Sequence, residues 1–149
     1  MKKLFITIFL LLSIGAAAHA TATATLQNVD MKTYKDFLLQ RYVVRNGCSV
    51  QIPNEYTIVF SKVMDNKGMM LLLRSLNGTR TGNNPIFQQT FTIIPGGTNI
   101  TVQLSINAIT YPGSLYQKTV SLGTEQEISE LNSVNNEFIG LINNEKNRQ

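Results

Sequence analysis

The sequence predicts an α+β domain of two layers, in which an N-terminal and a C-terminal helix cover one face of an antiparallel sheet of about five strands. An amphipathic helical repeat stands near each end, alternating apolar and polar residues fill the middle, and short turn sequences separate the alternating segments. Short turns between consecutive strands favour antiparallel pairing. A sheet with one apolar face needs a cover, which the two helices supply.

The first twenty residues have the pattern of a Sec signal peptide. Lys2 and Lys3 form a positive start, residues 4–12 are almost entirely apolar, and residues 18–20 fit the small-x-small cleavage pattern. The apolar run is shorter than the ~20 residues that a membrane span needs. We therefore expect cleavage after Ala20 and a periplasmic or secreted chain, without a lipid anchor or an integral membrane segment.

The composition of the chain after cleavage excludes several chemistries. The single histidine, His19, belongs to the predicted signal, so Ser-His-Asp and Cys-His catalysis and histidine-based metal sites are excluded. The chain also lacks a Gly-x-x-x-x-Gly-Lys phosphate loop and a calcium-loop pattern. We expect no catalytic, cofactor-binding or metal-binding residues, and therefore no enzyme and no cofactor.

Basic and acidic residues are unevenly distributed along the chain. Residues 32–118 hold nine basic and three acidic side chains, whereas residues 119–149 hold two basic and five acidic ones. Opposite charges on two segments of a small domain either attract each other or solvate separate faces. The basic residues form no dense stripe, so we expect no nucleic-acid partner.

The secondary structure can be predicted in chain order. We expect residues 21–29 to be a flexible leader, with a short edge strand at residues 21–25 as the alternative, and residues 30–143 to form a single domain without an internal repeat. Asp30 can cap a helix over residues 31–45, which Asn46-Gly47 ends because glycine tolerates the left-handed conformation. Alternating or continuous apolar patterns predict the strands at residues 48–52, 56–61, 69–73, 87–94 and 99–108.

The last element is a second amphipathic helix, followed by a polar tail over residues 144–149. Thr124 and Glu127 have the spacing of a capping box at its start. Glu127 with Glu130, or Glu130 with Glu137, are the nearest pairs that could serve a carboxylate-dependent hydrolase. We interpret both pairs as part of a solvated, charged helix face.

Several local patterns together resemble a known group of proteins. Residues 34–62 combine an amphipathic helix, Asn46-Gly47, and a strand of the tyrosine-x-aliphatic-x-phenylalanine type; a Gly-Gly-Thr turn stands at 96–98 and Tyr-Pro-Gly-Ser at 111–114. This resembles a broad group of small Sec-exported bacterial proteins without a common activity. The layout is similar to helix-grip and TATA-binding-protein-like domains of envelope accessory proteins, which implies the fold alone.

The strand at 99–108 offers the best candidate for a partner-binding surface. Its polar side carries five uncharged side chains that can hydrogen-bond a glycan or a peptide strand: Asn99, Thr101, Gln103, Ser105 and Asn107. The alternative is an ordinary wet sheet face. Cys48, the single thiol, is either a reactive or dimerising group or, as we favour, a small apolar residue of the first strand.

Export, small size and missing catalytic groups favour a non-catalytic binding or accessory module of the cell envelope, with an unidentified protein, peptide or glycan partner. The alternative is a periplasmic inhibitor or immunity protein against a lysozyme, protease or toxin, because such proteins also need no catalytic residues.

Overall fold

The computed structural model describes residues 21–64, 71 and 84–148, and it has the predicted α+β architecture. One antiparallel sheet of six strands carries two helices on one face. The strands are β1 (Ala22–Gln27), β2 (Ser49–Asn54), β3 (Thr57–Val63), β4 (Ile86–Gly96), β5 (Asn99–Thr110) and β6 (Lys118–Ser121). The helices are α1 (Met31–Leu39), which continues as a π-helical segment (Gln40–Arg45), and α2 (Thr124–Lys146). The predicted signal peptide lies outside the described residues.

Strand β5 pairs with three of the other described strands, more than any other strand of the sheet. The strands lie in the order β1-β5-β4-β3-β2, and β6 also pairs with β5. Strand β4 pairs along almost the whole of one edge of β5. On the other edge, β1 pairs with residues 99–104 and β6 with residues 107–110, so the two short strands lie one after the other along β5.

Residues 21–29 are not a flexible leader, because most of them form strand β1. Ala22, Ala24 and Leu26 of this strand are buried under the helices. The edge-strand alternative therefore describes this segment. Its pairing partner in β5 lies more than 70 residues away along the chain, as in the pair Gln27↔Asn99.

The predicted boundaries of the first helical stretch are confirmed. Asp30 caps α1 by accepting a hydrogen bond from the Thr33 backbone N–H at 3.0 Å. The stretch ends at Arg45, two residues before Gly47, which has a φ of +69° and donates its N–H to the Val43 carbonyl at 3.0 Å. The predicted polar tail begins later than expected, because α2 remains helical to Lys146.

Aromatic side chains join the helices to each other and to the sheet. Tyr34 of α1 makes an edge contact with Phe138 of α2, with ring centroids 5.0 Å apart. Tyr42 of the π-helical segment stacks on Phe60 of β3 at 4.7 Å. These contacts fix both helices above the core.

Some of the predicted strands have exposed apolar side chains. Strand β2 is present, but its apolar side chains Val50 and Ile52 are exposed because β2 lies at the sheet edge, beyond the cover of the helices. The strand predicted at 69–73 falls outside the described residues except for Leu71, which is helical and has an exposed side chain. Residues 79–85, whose polar composition predicts a loop, also lie largely outside them.

Candidate functional site

The five polar residues singled out on the long strand lie together on the sheet face opposite the helices. Asn99, Thr101, Gln103, Ser105 and Asn107 are all half-buried, whereas the residues between them are buried under the helices. The predicted division of this strand into a covered and an uncovered face is therefore correct. We call the uncovered side of the whole sheet the open face.

Neighbouring strands extend the polar row into a two-dimensional array. Thr25 lies opposite Thr101, Thr92 opposite Gln103, and Thr90 opposite Ser105. The open face comprises Thr23, Thr25 and Gln27 of β1; Ser49 and Gln51 of β2; Thr57, Val59, Ser61 and Val63 of β3; Ile86, Gln88, Thr90, Thr92 and Ile94 of β4; Asn99, Thr101, Gln103, Ser105, Asn107 and Ile109 of β5; and Thr119 and Ser121 of β6.

None of these described strand residues is charged. The charged strand residues Lys62 and Lys118 belong to the helix-covered side, because they alternate with members of the open face. Strands are ~4.8 Å apart and same-face residues ~6.7 Å apart along a strand, so the hydroxyl and amide groups form a regular grid.

Hydrogen bonds between side chains of the open face are long. The Thr25 and Thr101 hydroxyl oxygens are 3.4 Å apart, and Gln88 Nε2 donates to Ser61 Oγ at 3.4 Å. Such long contacts are weak, so these groups can exchange them for shorter bonds to a ligand without a large loss.

One end of the open face has a shallow depression with an aromatic wall. Tyr56, from the turn between β2 and β3, lines it together with Asn54, Thr57, Thr92 and Ile94. The tyrosine is 41% exposed. A hydrogen bond from the Tyr56 hydroxyl to the adjacent Glu55 carboxylate raises the pKa of Tyr56.

The interpretation of the α2 glutamates as a solvated face is wrong. Glu127 is only 1% exposed, and its Oε1 accepts a hydrogen bond from the Ile106 backbone N–H at 3.0 Å. Ile106 lies where β1 has ended and β6 has not begun, so this N–H has no strand partner on that edge. The carboxylate of Glu127 thus closes the gap between the two short strands.

Glu130 and Glu137 bind arginines of the π-helical segment. Arg41 forms ion pairs with both carboxylates, and Arg45 forms a second one with Glu137. The Tyr42 hydroxyl donates to Glu130 Oε1 at 2.6 Å. Of the two alternatives for the uneven charge distribution, the structure shows attraction between the segments. These ion pairs place the Glu130 and Glu137 carboxylates in the contact between the π-helical segment and α2.

Cys48 is a half-buried free thiol. Burial raises the pKa of the Cys48 thiol against the smaller, opposite effect of Lys62, and a higher pKa leaves less of the reactive thiolate at neutral pH. Within the described part of the chain, no three His, Cys, Asp or Glu side chains cluster as metal ligands. No described helix combines the length and hydropathy that crossing a bilayer requires.

Sequence reasoning found the central row but missed the depression and the contribution of β1. The alternation of Thr23 and Thr25 with small apolar residues was a usable signal, because it continues the uncharged pattern of β5. Comparison of the chain with family models, curated proteins and solved structures finds no match.

Proposed function

We propose that the protein is an exported, non-catalytic binding module of the cell envelope, and that its open face binds a neutral glycan. The observation that carries the proposal is the uncharged character of this face across all six described strands, combined with its grid of hydroxyl and amide groups. The expected Sec signal supports the location.

The absence of charge on the open face disfavours a charged partner. A charge that loses water on binding costs several kcal/mol unless an opposite charge compensates it. The described strand residues of the open face offer none. An uncharged partner avoids this cost and exchanges its hydrogen bonds with water for bonds to threonine, serine, asparagine and glutamine side chains. Short threonine and serine side chains also lose little rotamer entropy when they become ordered.

A sugar fits the open face better than an added peptide strand does. A peptide strand pairs with the backbone at a sheet edge, whereas the backbone groups of the open face are already paired within the sheet. A sugar ring has hydroxyl groups at its rim and an apolar C–H surface, so it can use both the hydroxyl grid and the ring of Tyr56.

Affinity electrophoresis tests the proposal. The chain from Thr21 onward is run through gels that contain neutral polysaccharides (hydroxyethyl cellulose, glycol chitin, starch) or the acidic polymer alginate. We expect retardation by a neutral polymer and none by alginate. Tyr56→Ala should weaken retardation by about 2- to 10-fold, the range that ~0.5–1.5 kcal/mol of aromatic contact implies. Tyr116→Ala is the matched control, because Tyr116 is also exposed but belongs to the loop before β6.

Retardation by alginate alone, or by no polymer, would overturn the proposal. The inhibitor or immunity alternative makes a different prediction, because a protein partner would use the exposed edge strand β2. A captured envelope protein that is lost with Ile52→Lys but retained with Thr101→Lys would favour that alternative and count against the glycan.

A further inference from the structure

The helix-covered side of the sheet contains two adjoining cavities that the glycan proposal does not use. The larger, of about 220 Å³, lies between the π-helical segment and strands β3 and β4, and the other, of about 180 Å³, lies under α2. Both are lined by Phe87, Gln89 and Glu130, so these residues stand at their junction. We call the pair the Gln89 cavity.

Gln89 is the unusual member of this lining. It occupies a core position of β4, opposite Phe60 of β3 and Ile106 of β5, and is only 6% exposed. Among the described residues, no hydrogen-bond donor reaches its Oε1 atom. A buried amide oxygen without a donor is costly, and apolar residues of similar size would fill the same position without that cost. The Gln89 amide oxygen is therefore suited to accept a hydrogen bond from a donor group of a ligand.

The other walls define the body of such a ligand. Tyr42, Phe60 and Phe87 contribute aromatic rings to the larger cavity, and Ile106 and Leu122 contribute aliphatic groups to the smaller one. Aromatic walls favour edge or offset contacts with another ring. A cavity of about 150 Å³ with apolar walls is large enough to bind benzene, so about 220 Å³ accommodates a substituted ring.

The charges around the cavity favour a neutral ligand. The Glu130 carboxylate already accepts the Tyr42 hydroxyl at 2.6 Å and pairs with Arg41 at 3.4 Å. Lys62, at the rim, donates its ammonium group to the Asn46 carbonyl at 2.7 Å. Glu130 has a cationic partner and the exposed ammonium group of Lys62 stays solvated, so neither needs an ion from the ligand.

We propose that the Gln89 cavity binds a small aromatic molecule with one neutral hydroxyl group. The Gln89 amide, whose Oε1 is itself shielded from solvent, turns toward the cavity to accept the O–H while the ring packs against Phe60 and Phe87. This site is on the opposite side of the sheet from the open face, so it is independent of glycan binding.

The single cysteine of the chain provides a direct measure of occupancy, because Cys48 lines the larger cavity. The rate of Cys48 alkylation by iodoacetamide is measured in the chain from Thr21 onward, with increasing phenol or toluene. We expect phenol to slow alkylation along a saturable curve, about tenfold at nine times its dissociation constant. Toluene has a similar ring but no donor, and should require a higher concentration for the same protection.

Gln89→Leu should remove the preference for phenol over toluene, since it keeps the side-chain size and deletes the acceptor. Gln103→Leu, at an open-face position, is the matched control and should keep the preference. Equal protection by phenol and toluene in the unmodified chain, a preference that survives Gln89→Leu, or no protection by either compound would overturn the proposal. The comparison of the two ligands in the unmodified chain decides the matter even if the variant fails to fold.

Discussion

The two faces of strand β5 differ in composition, burial and polarity, although they alternate residue by residue along one backbone. Ile100, Val102 and Leu104 are at most 2% exposed under the helices, whereas the polar residues between them remain accessible on the open face. The covered face determines stability, because it supplies the apolar area that folding removes from water. The open face has no such role, so its composition is free to serve a partner.

The covered side also contains polar groups, and these are of two kinds. Glu127 and Asn135 hold elements together, the first by bonding Ile106 of β5 and the second by accepting the Tyr34 hydroxyl at 2.7 Å. The Oε1 atom of Gln89 accepts no hydrogen bond from any described residue. Glu127 and Asn135 therefore stabilise the fold, whereas the Gln89 amide oxygen is left for a ligand.

The largest expected effect tests the difference between the two faces. Leu104→Ala should lower the free energy of unfolding by about 2–5 kcal/mol, because it removes a fully buried side chain and leaves a cavity. Gln103→Ala, one residue away on the open face, should change it by less than about 0.5 kcal/mol. Urea denaturation of both variants measures this, and equal losses would show that the open face also carries the fold.

A smaller effect is expected for the hydrogen bond between the helices. Tyr34→Phe should cost about 1–3 kcal/mol, since it leaves the buried Asn135 Oδ1 without the donor that it has now. Tyr34→Phe combined with Asn135→Leu removes both polar groups and should recover part of the loss. If the double variant loses more unfolding free energy than the two single variants lose together, Asn135 acts through other contacts.

The smallest effect concerns the cap of α1 and depends on pH. Asp30→Ala should cost about 1 kcal/mol at neutral pH, and Asp30→Asn should cost less because asparagine also caps helices. Hydrogen bonds from the Thr33 side chain and backbone lower the pKa of Asp30 below its ordinary value of 3.8. A lowered pKa means that the ionised cap stabilises the folded chain above about pH 4, and that this contribution is lost as the pH falls through the lowered pKa.

Thermal denaturation of the unmodified chain and of the Asp30→Asn variant between pH 7 and about pH 3 measures the effect. The advantage of aspartate over asparagine should shrink on acidification. An advantage that grows as the pH falls would contradict the assignment of the cap.

Elements with strong local signals could be predicted from the sequence, and those that depend on distant pairing could not. The alternation of β5, the Asp30 cap and the Asn46-Gly47 stop each lie within a few residues of the structure they determine. Strand β1 was missed as a definite element because its partner is β5, far along the chain. The short strand β6 was missed because four residues, Lys118–Ser121, give too little alternation to recognise.

The error on Glu127 has the same origin. The position of Glu127 in the helical repeat predicts a solvent-exposed side chain. Its burial follows from the gap that β1 and β6 leave beside Ile106, and this gap exists only once the sheet is assembled. The central row of the open face was predictable from β5, but its extension over the neighbouring strands required their register.

The most direct test of the open face is the double variant Thr101→Lys with Ser105→Lys. Both residues lie in the middle of the open face, so the substitutions add bulk and charge there without entering the core. Binding to the neutral polysaccharide should be abolished while the melting temperature stays nearly unchanged. Undiminished binding by a correctly folded double variant would contradict it.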